Sequence, residues 1–138
     1  KSKYIENGKL KLVFRELPPN PRLIAVTMLA RCLPRERYFD AYTALFQNQG
    51  AWVKIQDPGP DITRIMTDLG MNKVTFDQCL ADGAKAAQLN AFTRKTVRDF
   101  RIEATPTFFL NGRKIFGRKD MAELRSELIT AIDAALKV

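Results

Sequence analysis

Glu103-Ala-Thr-Pro-Thr-Phe-Phe-Leu-Asn-Gly-Arg-Lys-Ile-Phe-Gly117 reads as a strand entered through an X-Pro bond, a tight turn, and a return strand. Asn111-Gly112 is the dipeptide that best satisfies the two positive φ angles of a type I′ hairpin turn, and short apolar runs flank it on both sides. Pro106 has no N–H to donate to a ladder, so a strand opened by Thr105-Pro106-Thr107 marks an edge, a bend or a site. An X-Pro bond is also the one place where a cis peptide is inexpensive, at about 0.5 to 1 kcal/mol.

Working outward, residues 119 to 136 carry Met121, Leu124, Leu128, Ile129, Ile132 and Leu136 at helical spacing, a final helix with one apolar stripe. The region before the hairpin is helical throughout. Asn20-Pro21 is a cap and first-turn pair opening a helix to about Arg31, and Pro34 opens a second with Tyr38, Phe39, Tyr42, Leu45 and Phe46. Those aromatics are expected in the core. Gln49-Gly50 and Asp57-Pro58-Gly59-Pro60 bracket a loop in which Trp52 is placed to line a groove. A short helix over Ile62 to Leu69 ends at Gly70, Thr75 caps the next turn, and a long helix spans 85 to 100.

Upstream, Lys1 to Asn7 reads as the end of a helix closed by Gly8, and residues 9 to 16 alternate Leu10, Leu12 and Phe14 with Lys9, Lys11 and Arg15, the pattern of a strand. A lone strand before the helices and a hairpin after them belong to one sheet, because a two-stranded ribbon is marginal alone.

Composition narrows the chemistry. The chain has 138 residues, enough for one domain with a core, and no stretch is long and apolar enough for a membrane helix. The first residue is Lys1 and no signal peptide is visible, so the start of the natural protein is expected upstream. Net charge is +8, but the basic residues are dispersed and unaccompanied by any nucleic-acid-binding motif, so they read as a solvated surface. There is no histidine, which removes the commonest general base and zinc ligand. No metal site and no cofactor is expected. Asp57, Asp61, Asp68 and Glu103 form no pairing that supports glycosidase chemistry.

The two cysteines, Cys32 and Cys79, are too far apart in sequence for a redox Cys-x-x-Cys and match no zinc pattern. Two buried free thiols and a disulfide within the helical lobe both fit the residues.

The string Ile102 to Gly112, with the helical lobe before it and the helix after it, resembles the cis-proline loop and hairpin of the thioredoxin-fold oxidoreductases, most closely the DsbA-like branch. Lys9-Leu-Lys-Leu-Val-Phe-Arg-Glu-Leu-Pro18 resembles the second strand of that fold. The resemblance implies an α/β, thioredoxin-like fold with an inserted helical domain, incomplete at its N-terminus. Residues 1–18 and 101–138 would form the thioredoxin part and 19–100 the insertion. It further implies a cis bond before Pro106 and a Thr105 backbone open to an extended substrate, with main-chain hydrogen bonds giving sequence-tolerant affinity. Cys32 and Cys79 would form a structural disulfide like the second bridge of some DsbA-like proteins, which argues for an oxidising compartment such as the bacterial periplasm.

No catalytic residue can be assigned, because the first strand and the Cys-x-x-Cys of the family are absent from these residues. Without that strand the one over residues 9 to 16 would lack a neighbour, so a swapped segment or a homodimer is one expectation. The resemblance implies a protein thiol-disulfide oxidoreductase acting on cysteine-containing unfolded or secreted polypeptides, with a membrane redox partner of the DsbB type and without nucleic acid. The alternative is a redox-inactive peptide-binding module, a remnant of the same fold.

Overall fold

The computed structural model describes residues 3–53, 56, 59–115 and 120–137. The expected turn at Asp57-Pro58, the end of the hairpin at Phe116-Gly117, and Lys119 at the head of the last helix lie outside them. The chain divides into two compact units, one of Lys1–Arg15 with Thr96–Val138 and the other of Glu16–Lys95.

The second unit is helical. Helix α1 (Pro21–Cys32) begins where the extended Asn20 accepts the Leu23 N–H at 3.0 Å, with Pro21 supplying a first-turn φ and no stranded donor. After a 3₁₀ turn at Arg35–Arg37 come α2 (Tyr38–Gln47) and the single turn α3 (Gln49–Trp52). Helices α4 (Gly59–Asp68), α5 (Lys73–Ala81) and α6 (Gly83–Asp99) follow, residues 96 to 99 of α6 belonging to the first unit. The cap of α5 is Asn72, whose side chain accepts the Thr75 N–H at 2.8 Å. Thr75 is therefore the donor in that bond, and α5 starts earlier than its sequence suggests. One core joins Met28, Leu29, Leu45, Ile65, Met66 and Leu89 from four of these helices with Met71 from the segment between α4 and α5. Burying a side chain such as Leu29 contributes about 1.5 to 3 kcal/mol.

Two expectations fail in this unit. Trp52 lines no groove; it is buried in the core, with its indole Nε1 donating to the Leu45 carbonyl at 2.9 Å. The aromatic stripe of α2 is not the core either. Ala41 and Leu45 are its buried residues, while Phe39 and Phe46 are 58% and 60% exposed. Helical spacing locates a stripe, but a small Ala41 permits the closer approach and decides which face turns inward.

In the first unit, residues 3 to 8 form turns that end as a helix ends. Gly8 at φ +74° donates to the Ile5 carbonyl, and Lys9 donates to that of Tyr4. Residues 9 to 16 form no strand, and Leu12 and Val13 are 59% and 60% exposed. A strand exists only through its ladder, and among the described residues this segment has no strand neighbour. Strands β1 (Phe108–Leu110) and β2 (Arg113–Ile115) form an antiparallel pair with Leu110 opposite Arg113. The loop between them is Asn111-Gly112 at φ +48° and +81°, as a type I′ turn requires. Helix α7 (Met121–Ala135) is capped by the Asp120 carboxylate, which accepts the Ala122 and Glu123 N–H groups, and buries Leu124. The N-terminal turns are tied to α7 where Tyr4 Oη and Lys3 Nζ donate to the Asp133 carboxylate at 2.7 and 3.0 Å. Among the described residues no helix is long and apolar enough to cross a membrane.

Candidate functional site

The approach to β1 is set by how α6 ends. Ile102 N donates to the Val97 carbonyl at 2.9 Å and Arg101 N to that of Arg98, with Arg101 itself at φ +49°. This is the double bond pattern of a helix stop, with an arginine where glycine is usual. Lys114 Nζ on β2 donates to the Arg101 carbonyl at 2.6 Å, and the Phe100 and Phe109 rings meet edge to face at 5.6 Å. The hairpin is thereby fixed to the end of the helix, and the chain crosses from one to the other through Glu103 to Thr107.

Thr105 and Pro106 are both exposed in that crossing, and the peptide bond between them is cis. Thr107 closes the turn by donating its hydroxyl to the Ala104 carbonyl. A two-residue turn makes Leu110 and Arg113 the hydrogen-bonded closing pair, so the antiparallel alternation points the main chain of Phe109 away from β2. Among the described residues, β1 pairs only with β2. Thr105 stands exposed three residues before β1. An exposed main-chain segment beside a strand can pair with an extended segment of another polypeptide.

Cys32 and Cys79 form a disulfide with Cα atoms 6.3 Å apart, joining the last residue of α1 to α5. Thr105 and Pro106 belong to the first unit and this disulfide to the second. The two sulfurs differ in surroundings. Cys32 is half-buried with Lys85 Nζ 3.4 Å from its Sγ, whereas Cys79 is buried with its Sγ 3.1 Å from the Met28 carbonyl oxygen.

Sequence reasoning missed a third feature. Glu16 is buried, and its carboxylate accepts Arg31 Nε and Nη2, each at 2.9 Å, together with the hydroxyls of Tyr38 and Tyr42. Burial alone would raise the Glu16 carboxyl, but the Arg31 and Tyr38 hydrogen bonds outweigh it and hold the group at about 2. Burial first, and then the carboxylate, push Tyr42 up to about 12 and Tyr38 higher still. The available signal was the tyrosine pair at i and i+4 on α2, since a partly buried Tyr needs a partner for its hydroxyl. Arg31 and Glu16 on separate segments gave none.

A family model described as thioredoxin matches residues 1–131. A Rickettsia prowazekii protein bearing the name of a protein-disulfide oxidoreductase is 27% identical over 113 residues, which is 81% of this chain and 42% of that protein. A Rickettsia typhi protein of similar name is 26% identical with the same coverage. The chain thus spans 42% of the length of the curated relatives it matches. Among solved structures, a protein-disulfide isomerase from Novosphingobium aromaticivorans superposes with a TM-score of 0.77 at 23% identity, over 95% of this chain and 79% of that one. Wolbachia pipientis alpha-DsbA1 gives 0.77 at 23% identity, over 98% of this chain and 74% of the other. At these identities the structural likeness concerns the fold: a thioredoxin fold carrying a helical insertion.

Proposed function

We propose a function from a fixed premise: this chain belongs to the thioredoxin family. It is the substrate-presenting portion of a DsbA-like protein thiol-disulfide oxidoreductase, which holds cysteine-containing polypeptides in extended form beside a reactive dithiol. The observation that carries this is the exposed Thr105-Pro106 segment with its cis bond, which leaves Thr105 at the surface beside the start of β1. Affinity through main-chain bonds tolerates many client sequences, which a disulfide catalyst of unfolded proteins needs. The names of the Rickettsia relatives support the chemistry. The Cys32–Cys79 disulfide supports an oxidising compartment, for which we propose the bacterial periplasm. A membrane protein of the DsbB type would serve as reoxidising partner.

The second reading is a redox-inactive peptide-binding module, favoured by the absence of any Cys-x-x-Cys among these residues. Insulin reduction by dithiothreitol separates the two when followed with a variant in which Cys32 and Cys79 are both serine. The oxidoreductase reading, for the chain as given, predicts peptide binding without acceleration of reduction, and acceleration once a thioredoxin-type Cys-x-x-Cys segment is joined upstream. Binding that persists with no acceleration in the joined protein would establish the module reading.

A further inference from the structure

The surroundings of the two bonded sulfurs are those of an asymmetric redox pair. Reactive dithiols place one sulfur where solvent and a cation reach it and hide the other. Cys32 is half-buried and lies 3.4 Å from the Lys85 ammonium, which also faces the Asp82 carboxylate at 3.5 Å. The neighbouring Arg31 is committed to Glu16, so Lys85 is the cation assigned to this sulfur. Cys79 is 4% exposed and sits against the Met28 carbonyl, an acceptor suited to the S–H of a neutral thiol. One environment favours a thiolate and the other a protonated thiol.

We propose that the Cys32–Cys79 disulfide is a thiol-exchange centre in its own right, attacked at Cys32 by thiolates of client cysteines or glutathione. It is separate from the dithiol that the Thr105-Pro106 segment would serve. In the first step the incoming thiolate forms a bond to Cys32 Sγ while the bond between Cys32 and Cys79 breaks. The electron pair goes to the Cys79 sulfur, which takes a proton from water and donates it toward the Met28 carbonyl. In the second step another client thiol loses its proton to solvent and attacks the client sulfur of the mixed disulfide. The client disulfide forms and Cys32 departs as a thiolate beside Lys85. The client is oxidised by two electrons and the protein disulfide reduced by two. Lys85 assists that departure, since a leaving thiol of lower pKa leaves faster. The same bond also braces the lobe; stabilising the fold and admitting attack at one sulfur are compatible.

The test uses the whole folded chain, incubated with glutathione at neutral pH, quenched with acid and mapped by peptide mass spectrometry. Glutathione on Cys32, without denaturant, is the expected result. Adducts on Cys79, or a disulfide that resists glutathione until the chain is unfolded, would overturn the proposal. A second arm removes any doubt about rates: in the Cys79→Ser variant, iodoacetamide alkylation of Cys32 at pH 7 should slow about threefold on Lys85→Met. A smaller thiolate fraction is there partly offset by higher intrinsic nucleophilicity. An unchanged alkylation rate would remove Lys85 from the mechanism and contradict the assignment.

Discussion

Arg31 grips the Glu16 carboxylate with both arms of its guanidinium, Nε to Oε1 and Nη2 to Oε2, each at 2.9 Å. Glu16 opens the helical unit, four residues before the Asn20 cap of α1, and Arg31 lies in the last turn of that helix. The pair therefore fastens the entering chain to the far end of α1, and the Tyr38 and Tyr42 hydroxyls draw α2 to the same carboxylate.

Removing one partner should cost more than the pair is worth, because a buried carboxylate left without its cation keeps its desolvation penalty. Arg31→Met is expected to destabilise by about 3 kcal/mol, and Glu16→Gln by about 2 kcal/mol, since Arg31 is partly exposed and solvent screens it. Urea denaturation of each variant measures this.

The same cluster fixes a pH profile. The folded Glu16 carboxyl sits at about 2, below its value in the unfolded chain, so its contribution is complete above the unfolded value of 4.5 and is lost as pH falls toward 2. Tyr38 and Tyr42 are raised, so their contribution holds below the unfolded value of 10 and declines as pH rises past it. Stability should be flat between those limits, and Glu16→Gln should remove the acid limb attributed to this cluster. Denaturation midpoints across pH report both.

The Cys32–Cys79 disulfide closes a loop with a sequence separation of 47. In the chain-entropy account it stabilises by about 4 kcal/mol. The double Cys→Ser variant should lose that amount in equilibrium unfolding while retaining helical circular dichroism.

Arg101 occupies a left-handed conformation at φ +49° that glycine adopts without a Cβ penalty. Arg101→Gly is expected to raise stability by about 0.5 to 1 kcal/mol. The Lys114 bond goes to the Arg101 main chain and survives the change. A shift in thermal midpoint reads the outcome.

The elements most legible in the sequence were those governed by short-range stereochemistry. Asn20-Pro21 and Asn111-Gly112 each place a specific backbone angle or donor, so α1 and the hairpin stand where the residues put them. Residues 9 to 16 misled because alternation specifies the face of a strand and supplies no ladder partner. Trp52 misled because the Gly and Pro around it mark a loop, whereas it ends the helical turn α3 and is buried; the α2 aromatics misled because periodicity cannot weigh a small Ala41 against a large Phe39 or Phe46. The cis bond between Thr105 and Pro106 was legible because proline constrains its own neighbourhood. Glu16, Arg31 and Lys85 were invisible because each acts on a residue at least fifteen positions away.

The central claim is that the Thr105 main chain beside Pro106 receives an extended client. Hydrogen exchange of backbone amides, with and without saturating cysteine-containing peptide, tests it most directly. The account predicts slowed exchange at Thr105, with little change at Leu110, already paired with Arg113. Protection confined to the helical unit, with Thr105 exchanging as freely as before, would contradict it.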